Sequence, residues 1–469
     1  MRTEFDFYAY NVPTSGEFYH NEFTYRYKED FRNVKRYKEY LDCGFNIVQV
    51  RGQNAFRGGE WQGSNAQKLC DTAYKAGCRK LLITDARFDA FIREENLVGE
   101  GKRFASTKEL DECVKEYVKP YKDVKGFFGI QLLDEPQYKH LPAYGQMVRS
   151  LKRVLGDDIY LQCNLFPLDV QTTSITSDEK LRNCGLSDAQ MKTDLIKKQA
   201  VYEKYVTDFL DATGLNYVLF DEYPFRREYI ISGNTIPNYQ IVAEICKERG
   251  LEFKAVLQSF AHMTYGVIRN RRINESDMYW QTNLALGFGC REFSFYTYMT
   301  KPDFVYKDGI GGEIDGAAFV NLDGSKTALY YYTKRIIKEI KAFAPVALKY
   351  DFVSSHIVTE SGKTAKDFEQ TLYLHKDEKC PLDVNIDKGI ALVAVSKNKT
   401  GKLVMIENIG NVKDELFDYA PPSKITVDFA GKEKAFYYKG KQVQKKKDKF
   451  GKYVLPLSVG HAVFVELGD

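Results

Sequence analysis

The order of hydrophobic and polar positions divides the chain into two parts. Between residues 5 and 299, a short apolar run is followed eight times by a polar residue and then by a stretch with helical periodicity. After residue 345, alternating apolar and polar positions replace the helical stretches, and hairpin signals such as Asn398-Lys-Thr-Gly401 separate them. Strands that alternate with helices predict a parallel sheet, whereas alternating runs joined by tight turns predict an antiparallel one.

The first part predicts eight strand–helix units. The predicted strands are Phe5–Pro13, Phe45–Arg51, Arg79–Asp85, Phe127–Pro136, Ile159–Pro167, Leu215–Phe225, Leu251–Phe260 and Arg291–Tyr298. The predicted helices are Lys28–Cys43, Ser64–Ala76, Thr107–Tyr121, Tyr138–Leu155, Ser187–Thr213, Tyr239–Arg249, Glu275–Leu286 and Gly324–Phe343, the last closing on Ala344-Pro345. Eight such units favour closure into a (β/α)8 TIM barrel, and an open doubly wound sheet is the alternative.

We therefore predict an α/β chain with two domains. A (β/α)8 catalytic barrel is expected at residues 1–345, and a smaller antiparallel β-sandwich at residues 346–469. The loops that follow strands (52–63, 86–105, 168–186 and 299–322) are long, and the loops that precede strands are short. Long loops at one end of a barrel are typical of its functional face.

Composition narrows the classes of partner. The chain of 469 residues is 44% hydrophobic and 14% aromatic, with 33 Tyr and 31 Phe, so it has ample material for a core. Its 68 basic and 64 acidic residues leave a net charge of +4, which gives no reason to expect nucleic-acid binding. No apolar run approaches a membrane span of about 20 residues. The Lys-rich segment Lys439–Lys452 is interpreted as a solvated hairpin edge.

The cysteines and the N-terminus bear on location and metals. Nine scattered cysteines without zinc spacing favour reduced thiols in a cytoplasmic protein. A secreted or periplasmic protein whose signal peptide has been removed is the alternative. We expect no metal and no cofactor.

The residues at the predicted strand ends define the chemistry of a barrel. In chain order they are Tyr8 or Tyr10, Arg51, Asp85, Asp134-Glu135, Asn164, Asp221-Glu222-Tyr223, Gln258, and Tyr296 or Tyr298. Carboxylates, amides, an arginine and aromatic rings make a cavity suited to reading hydroxyl groups. A histidine pair, a strand-end lysine and a nucleophile elbow are missing from this set, which disfavours metal hydrolysis, Schiff-base chemistry and acyl transfer.

Two carboxyl groups on different strands are the requirement for cleaving a glycosidic bond, because one protonates the leaving oxygen and the other attacks the sugar or activates water. Glu135 is the predicted proton donor, since Pro136 turns the chain outward and presents it to the cavity. Asp221 is preferred to Glu222 as the second catalytic group. Structural roles stay open for both pairs: a helix-capping acid for Asp134-Glu135, and an anchor for Arg51 or an amide for Asp221-Glu222.

Several motifs resemble bacterial glycoside hydrolases of the barrel clan that contains β-galactosidases and cellulases. They are Asp134-Glu-Pro, Asp221-Glu-Tyr-Pro-Phe225, and Trp280-Gln-Thr-Asn-Leu-Ala-Leu-Gly-Phe-Gly-Cys-Arg-Glu-Phe-Ser-Phe-Tyr-Thr-Tyr298. The chain is most similar to the family-42-like branch, in which a β-sandwich follows the barrel. The resemblance implies that Glu135 is the acid/base, with Asp134 where the clan has Asn. It also implies that Arg51 matches the clan's strand-two arginine and Tyr223 the strand-six tyrosine.

The chain departs from this pattern at strand seven, where the resemblance implies a glutamate nucleophile and the sequence has Gln258. An amide cannot attack an anomeric carbon. Three explanations stay open: Asp221 or Glu222 has taken over, the acid comes from a loop, or the chain is inactive. The first leaves both inverting and retaining routes possible.

The sequence thus predicts a glycoside hydrolase that acts on an oligo- or polysaccharide. The expected substrate contacts are Arg51, Asp85, Asp134, Asn164, Tyr223, Gln258, Tyr296 and Tyr298. Two alternatives remain: a barrel that binds carbohydrate without cleaving it, and a metal-assisted barrel hydrolase that uses Asp85, Asp134 and Asp221.

Overall fold

The computed structural model describes most of the chain in ordered ranges. These are residues 3–10, 12–13, 17–20, 23–26, 30–51, 65–177, 188–226, 233–264, 268–300, 318–364, 374–376, 378–410 and 421–468. They form two compact units. The N-terminal unit is Phe7–Asp221, and the C-terminal unit is Met1–Asp6 together with Glu222–Asp469.

The N-terminal unit alternates strands with helices. Its strands are β1 (Asp6–Ala9, which starts one residue before the unit), β2 (Glu17–His20), β3 (Phe23–Arg26), β4 (Ile47–Arg51), β5 (Lys80–Thr84), β6 (Phe127–Gln131), β7 (Tyr160–Gln162), β8 (Asn164–Leu165) and β9 (Tyr217–Glu222, which ends one residue after it). Its helices are α1 (Val34–Asp42), α2 (Asn65–Ala76), α3 (Ala86–Ile92), α4 (Thr107–Val118), α5 (Leu141–Leu155), α6 (Thr172–Ile175) and α7 (Asp188–Thr213). Short 3-10 helices occupy Lys119–Asp123 and Tyr138–His140.

From β4 to β9 the paired strands of this unit are parallel, as predicted, whereas β2 and β3 form an antiparallel pair. Strands β4, β5, β6 and β7 form a four-stranded sheet in that order, and β8 pairs with β9. Apolar side chains of β5 and β9 are buried on both faces, as expected where helices cover a parallel sheet. Gly129 in β6 lies so close to β7 that a Cβ atom there would stand 2.0 Å from the Tyr160 carbonyl oxygen, so this strand pairing requires glycine.

The C-terminal unit contains both kinds of sheet. Its helices are α8 (Thr235–Arg249), α9 (Glu275–Gly287) and α10 (Ala328–Ala347), and the parallel strands β10 (Glu252–Gln258) and β13 (Cys290–Tyr296) pair directly. Its other strands are β11 (His262–Thr264), β12 (Ile268–Asn270), β14 (Asp351–Thr359), β15 (Asp383–Ile386), β16 (Ile390–Asn398), β17 (Gly401–Gly410), β18 (Ser423–Asp428), β19 (Glu433–Tyr438), β20 (Lys441–Val443), β21 (Tyr453–Leu457) and β22 (Ala462–Leu467).

From β14 onwards the strands are antiparallel, which confirms the predicted change of pattern. A six-stranded sheet has the order β14-β16-β17-β22-β19-β20, and a three-stranded sheet has the order β15-β18-β21. Alternate residues of both sheets, such as Val393, Ile406 and Leu455, meet in one apolar core. The domain boundary at residue 345 stays a prediction.

Three local predictions were wrong. Residues 172–175, which lie in a predicted loop, form the short helix α6. Residues 86–92, expected to be loop, form helix α3, because the Asp85 side chain accepts a hydrogen bond from the Arg87 backbone N–H and so caps the helix. The final helix was expected to close on Pro345, but α10 continues through it to Ala347. Among the described residues, no helix is both long and apolar enough to span a bilayer.

Candidate active site

The segment that follows β6 holds the predicted proton donor in an unusual backbone conformation. The Leu132 and Glu135 N–H groups donate to the Gln162 and Asn164 carbonyl oxygens, both at 3.0 Å, so the segment runs beside β7 and β8. Glu135 has φ +49°, which is the left-handed region that residues with a Cβ atom rarely occupy. Such strain persists where the surrounding structure holds it, and it is concentrated at functional sites.

Glu135 lies among three other carboxyl groups of the N-terminal unit. Burial raises the pKa of Glu135 well above its usual value, and the charges of Asp221, Asp134 and Asp169 raise it further. A hydrogen bond to Asp221 adds to the same shift. The Glu135 side chain is nevertheless partly exposed. A carboxyl group whose pKa is raised keeps its proton at a pH at which an ordinary carboxyl group has lost it.

Asp221 and Glu222 point in opposite directions, because successive side chains of a strand alternate between its faces. Asp221 is 5% exposed and contacts Glu135. Glu222 is 1% exposed, and its Oε1 accepts a hydrogen bond of 2.9 Å from Thr235 Oγ1 at the start of α8. The structure therefore brings Asp221, and not Glu222, to Glu135, the predicted proton donor.

The side chain of Asn164 is hydrogen-bonded to the exposed Asp134. Its Nδ2 donates to Asp134 Oδ1 at 3.0 Å, and Asp134 is exposed. The Asn164 side chain is 3% exposed, and its Oδ1 has no hydrogen-bond partner among the described residues. A buried acceptor of this kind needs a donor, such as a hydroxyl group.

Tyr10, one of the predicted strand-end residues, and three buried glutamines that were not predicted form a polar layer beside the carboxyl groups. Tyr10 is 2% exposed and receives a hydrogen bond from Gln162 Nε2. Burial raises the pKa of Tyr10, and the charges of Tyr8, Asp134 and Asp221 raise it further. A second amide pair, Gln49 and Gln131, is hydrogen-bonded across β4 and β6, and Thr84 Oγ1 also donates to Gln131 Oε1 at 2.7 Å.

Gln49, Gln131 and Gln162 were not predicted as site residues because each is a single polar side chain in a mostly apolar strand. The signal that could have identified them is this shared position, since each lies on a strand that is buried on both faces. A neutral polar side chain at such a position needs an interior partner.

Helix α7 supplies two further residues to the cluster. The Tyr205 hydroxyl group donates to the Pro136 carbonyl oxygen at 2.7 Å, which secures the residue that follows Glu135. Burial lowers the pKa of Lys198, and the charge of Asp169 opposes that shift. Neither residue was predicted, because α7 was read only as a covering helix.

Asp85 has a structural role in this conformation. It is fully buried, caps α3, forms an ion pair of 2.7 Å with Arg87, and accepts a hydrogen bond of 2.5 Å from the Tyr121 hydroxyl group. The hydrogen-bond and ion-pair partners of the Asp85 carboxylate named here are all groups of the protein itself. Arg51 ends β4, and its side chain lies outside the described part of the chain.

Gln258, at the end of β10, is also committed to the backbone. It is 0% exposed, its Oε1 accepts from the Phe225 N–H at 2.9 Å, and its Nε2 donates to the carbonyl oxygens of Phe225 and Phe260, both at 3.2 Å. The amide thus joins two chain segments of the C-terminal unit. Its predicted role as a sugar contact stays a prediction.

Three aromatic rings pack together at the ends of strands in the C-terminal unit. Tyr223 and Tyr296 are partly exposed and tilted, with ring centroids 5.9 Å apart. The buried Phe260 packs edge-on against both, at 5.0 and 5.1 Å. Tyr298, the other predicted contact, is 2% exposed and packs against Phe319. Of the predicted tyrosines, Tyr223 and Tyr296 therefore retain surface for a ligand.

No group of three or more His, Cys, Asp or Glu side chains within the described residues has an arrangement that suits a metal ion.

Comparison with known proteins finds similarity of structure rather than of sequence. No protein-family model matches the chain, and no curated protein matches it in sequence. A glycoside hydrolase family 5 protein from Bacteroides vulgatus ATCC 8482 has a TM-score of 0.50 at 11% identity, and the alignment covers 99% of this chain and 89% of that one. The fold is therefore similar to that of this glycoside hydrolase.

Two further neighbours have lower scores. A protein described as a glycoside hydrolase has a TM-score of 0.49 at 13% identity, over 92% of this chain and 89% of that one. A β-galactosidase from the psychrophilic Marinomonas ef1 has a TM-score of 0.37 at 11% identity. That alignment covers 67% of this chain and 58% of the β-galactosidase. This chain therefore spans little more than half of the length of the β-galactosidase.

Proposed function

We propose that this protein is a glycoside hydrolase in which Glu135 and Asp221 cleave the glycosidic bond. The observation that carries the proposal is the hydrogen-bonded pair of carboxyl groups, one of which has a raised pKa. The raised pKa favours a proton on Glu135, and the Asp221 carboxylate beside it can accept the hydrogen bond of that proton. A proton donor beside a carboxylate is what hydrolysis of an acetal requires.

Glu135 protonates the leaving oxygen, and Asp221 attacks the anomeric carbon. Retaining enzymes place their two carboxyl groups about 5–5.5 Å apart, whereas inverting enzymes need about 6.5–9.5 Å to admit a water molecule. Two groups close enough to share a hydrogen bond favour the retaining arrangement. Glu135 then serves as the base that activates water in the second step.

The remaining features of the proposal follow from this pair. We propose a closed (β/α)8 barrel of the family-42-like type in which Asp221, at the end of strand six, replaces the strand-seven acid that Gln258 does not supply. Asn164 and Asp134 are the proposed hydroxyl contacts beside Glu135, because Asn164 has a buried acceptor atom without a partner in the described residues. We propose an oligo- or polysaccharide as substrate.

The test is hydrolysis of a panel of aryl glycosides and glycans by the wild type and by two variants, Glu135→Gln and Asp221→Asn. We expect each variant to lose at least about 10³-fold in kcat/KM. Aryl glycosides with a good leaving group should retain more activity in Glu135→Gln than glycans do, since they need less protonation. Proton NMR of the first product formed should show retained anomeric configuration.

A matched control is Glu407→Gln, which neutralises another buried glutamate with a raised pKa. It should hydrolyse substrates at the wild-type rate. Glycan binding without turnover in the wild type would replace the proposal with a carbohydrate-binding barrel. Turnover that survives both site variants, or inversion of the product, would reject the assigned roles.

A further inference from the structure

The turn between β20 and β21 is fixed by one acidic residue. Asp448 Oδ1 accepts hydrogen bonds from the N–H groups of Phe450 at 2.8 Å and Lys452 at 3.0 Å. The Asp448 N–H donates to the Lys452 carbonyl oxygen at 2.7 Å, and Gly451 completes the turn with φ +80°. Four residues are therefore held in one conformation, which reduces the entropy lost when the turn binds a partner.

The fixed turn presents an aromatic ring to solvent. Phe450 is 75% exposed, although a phenyl ring at a free surface gains nothing for folding. The Lys449 ammonium lies 5.0 Å from the centroid of this ring. The turn thus combines an apolar face with an adjacent positive charge.

The segment Lys439–Lys452 holds seven lysines and one acid, Asp448, whose carboxylate is committed to the turn. Lys447 pairs with Glu433 at 2.8 Å and Lys452 with Asp383 at 2.5 Å. Three others, Lys445, Lys446 and Lys449, form no ion pair with any described residue. They surround the turn with positive charge that the protein does not neutralise.

We propose that this basic turn, defined as Lys445, Lys446, Lys449 and Phe450, binds a polysaccharide whose sugars carry carboxylate or sulfate groups. The ammonium groups pair with the anionic substituents, and the phenyl ring packs on the apolar face of a sugar ring. A polyanionic chain is the complement of an unpaired lysine cluster, because it offers charges at regular intervals.

The number of apolar side chains favours a polysaccharide over an anionic bilayer. Stable attachment to a membrane surface takes more than one apolar insertion, or one with a much larger polybasic region. Phe450 is the exposed ring of this turn, and one ring is sufficient to cover one sugar. Binding to a bilayer is an outcome that the test separates.

The test uses the full chain carrying Glu135→Gln, so that binding is measured without turnover. The probes are polygalacturonate, the same polymer with its carboxylates methyl-esterified, and vesicles of phosphatidylserine with phosphatidylcholine. Polygalacturonate should bind, salt should weaken the complex, and the esterified polymer should bind at least about tenfold more weakly.

The chain offers a matched control for charge reversal. Lys397, Lys399 and Lys402 are exposed lysines at the β16–β17 turn of the same sheet region, where the described residues include no large exposed apolar side chain. Reversing Lys445, Lys446 and Lys449 to Glu should weaken binding at least about tenfold, and reversing the control lysines should change it by less than about threefold. Phe450→Ala should weaken binding by about three- to tenfold. Unfolding temperatures of all variants verify that the sheet is intact.

If both triple variants weakened polygalacturonate binding equally, the loss of binding would depend only on the net charge of the protein, and the proposal would be overturned. Absence of binding to polygalacturonate at low salt would also overturn it, as would binding to vesicles alone. The proposal goes beyond the hydrolytic reaction and is measured without it. Loss of polysaccharide binding therefore leaves the Glu135–Asp221 assignment standing, and the reverse is also true.

Discussion

Two glutamates of this protein have raised pKa values for different reasons. Glu135, in the N-terminal unit, is partly exposed, sits in a strained backbone conformation, and is hydrogen-bonded to a second carboxyl group. Glu407, in β17 of the C-terminal unit, is 0% exposed, and neither of its carboxyl oxygens has a hydrogen-bond partner among the described residues. Burial alone raises the pKa of Glu407.

The surroundings of Glu407 are otherwise apolar. On β17, Val404 and Ile406 face the sandwich core, so Glu407 faces the other way, toward the helices. On that side the Trp280 Nε1–H of α9 donates to the Ile409 carbonyl oxygen at 3.4 Å, and the charge of Glu407 contributes to the raised pKa of Tyr239 on α8. Glu407 is therefore buried on the helix side of its sheet, where burial favours its protonated form.

The comparison separates a perturbed pKa from a functional site. Desolvation raises both pKa values, so the shift by itself does not identify the catalytic residue. What distinguishes Glu135 is access to solvent, a second acid within hydrogen-bond reach, and stored backbone strain. These three properties are the basis for proposing Glu135 as a proton donor, and Glu407 shares none of them among the described residues.

The largest expected effect is on turnover. Glu135→Gln should reduce kcat/KM at least about 10³-fold because the leaving group loses its proton donor, whereas Glu407→Gln should change it by less than about twofold. Both substitutions keep the shape of the side chain and remove its ability to ionise. Steady-state kinetics on the best aryl glycoside of the panel measures the difference.

Circular dichroism of both variants provides the control for folding. Comparable losses of turnover in the two variants would mean that neutral buried glutamates support the structure in general. The distinction between the two regions would then fail.

The second-largest expected effect is on the free energy of unfolding, and it comes from the substitution of Glu407. Its pKa is raised in the folded state, so its contribution to stability is full below about 4.5, the ordinary value of a glutamate, and is lost as pH rises through the folded pKa. Glu407→Gln stays neutral at every pH. At pH 9 we expect the variant to exceed the wild type in free energy of unfolding by about 1–3 kcal/mol.

Urea unfolding at pH 5, 7 and 9 measures this difference. The two proteins should converge at pH 5, since Glu407 is then protonated in the folded state. A difference that is independent of pH would show that the carboxyl group is ionised throughout, paired with a group outside the described residues.

Much of the fold was predictable from the sequence because its signals are local. The helix α7 was expected at Ser187–Thr213 and is found at Asp188–Thr213, since both of its ends follow from turn residues. Helix α3 was missed because it spans only seven residues, and its cap, Asp85, was assigned to a sugar contact. Pro345 was read as a helix end, although a proline near the last turn removes few backbone hydrogen bonds.

The site was predictable only where strand ends carry the chemistry. The sequence predicted Glu135 with Asp221, because both follow apolar runs at strand ends. It did not reveal that Asp221 and Glu222 would be divided between two faces, which depends on the strand register. Nor did it show that Gln258 would bind the backbone of Phe225, because the two residues are 33 positions apart and meet only in the folded chain.

A third, smaller effect tests whether Asp221 is the partner of Glu135. The charge of Asp221 is the largest electrostatic cause of the raised Glu135 pKa, after burial. Asp221→Asn keeps a hydrogen-bonding group and removes that charge, so Glu135 ionises at a lower cost. With an allowance for the partial exposure of Glu135, we expect the free energy of unfolding at pH 8 to rise by about 0.5–1 kcal/mol, together with loss of turnover.

The adjacent variant Glu222→Gln is the control, because Glu222 contacts Thr235 instead of Glu135. It should not reproduce this gain at pH 8. If Glu222→Gln stabilises the protein and Asp221→Asn destabilises it, the assignment of the two acids must be reversed.

The smallest expected effect concerns Asp134, whose charge raises the Glu135 pKa less than that of Asp221. Asp134 is exposed, so solvent screens its charge, and Asp134→Asn restores the Asn-Glu pair expected from the clan. We expect kcat/KM to stay within about tenfold of the wild type.

The alkaline limb of the pH profile of Asp134→Asn should move to lower pH, because the proton on Glu135 is held less tightly. The same substitution should leave the pH dependence of Glu407 unchanged, since burial and not the charge of Asp134 raises the pKa of Glu407. An alkaline limb that stays in place, or moves to higher pH, would show that the limb belongs to a group other than Glu135.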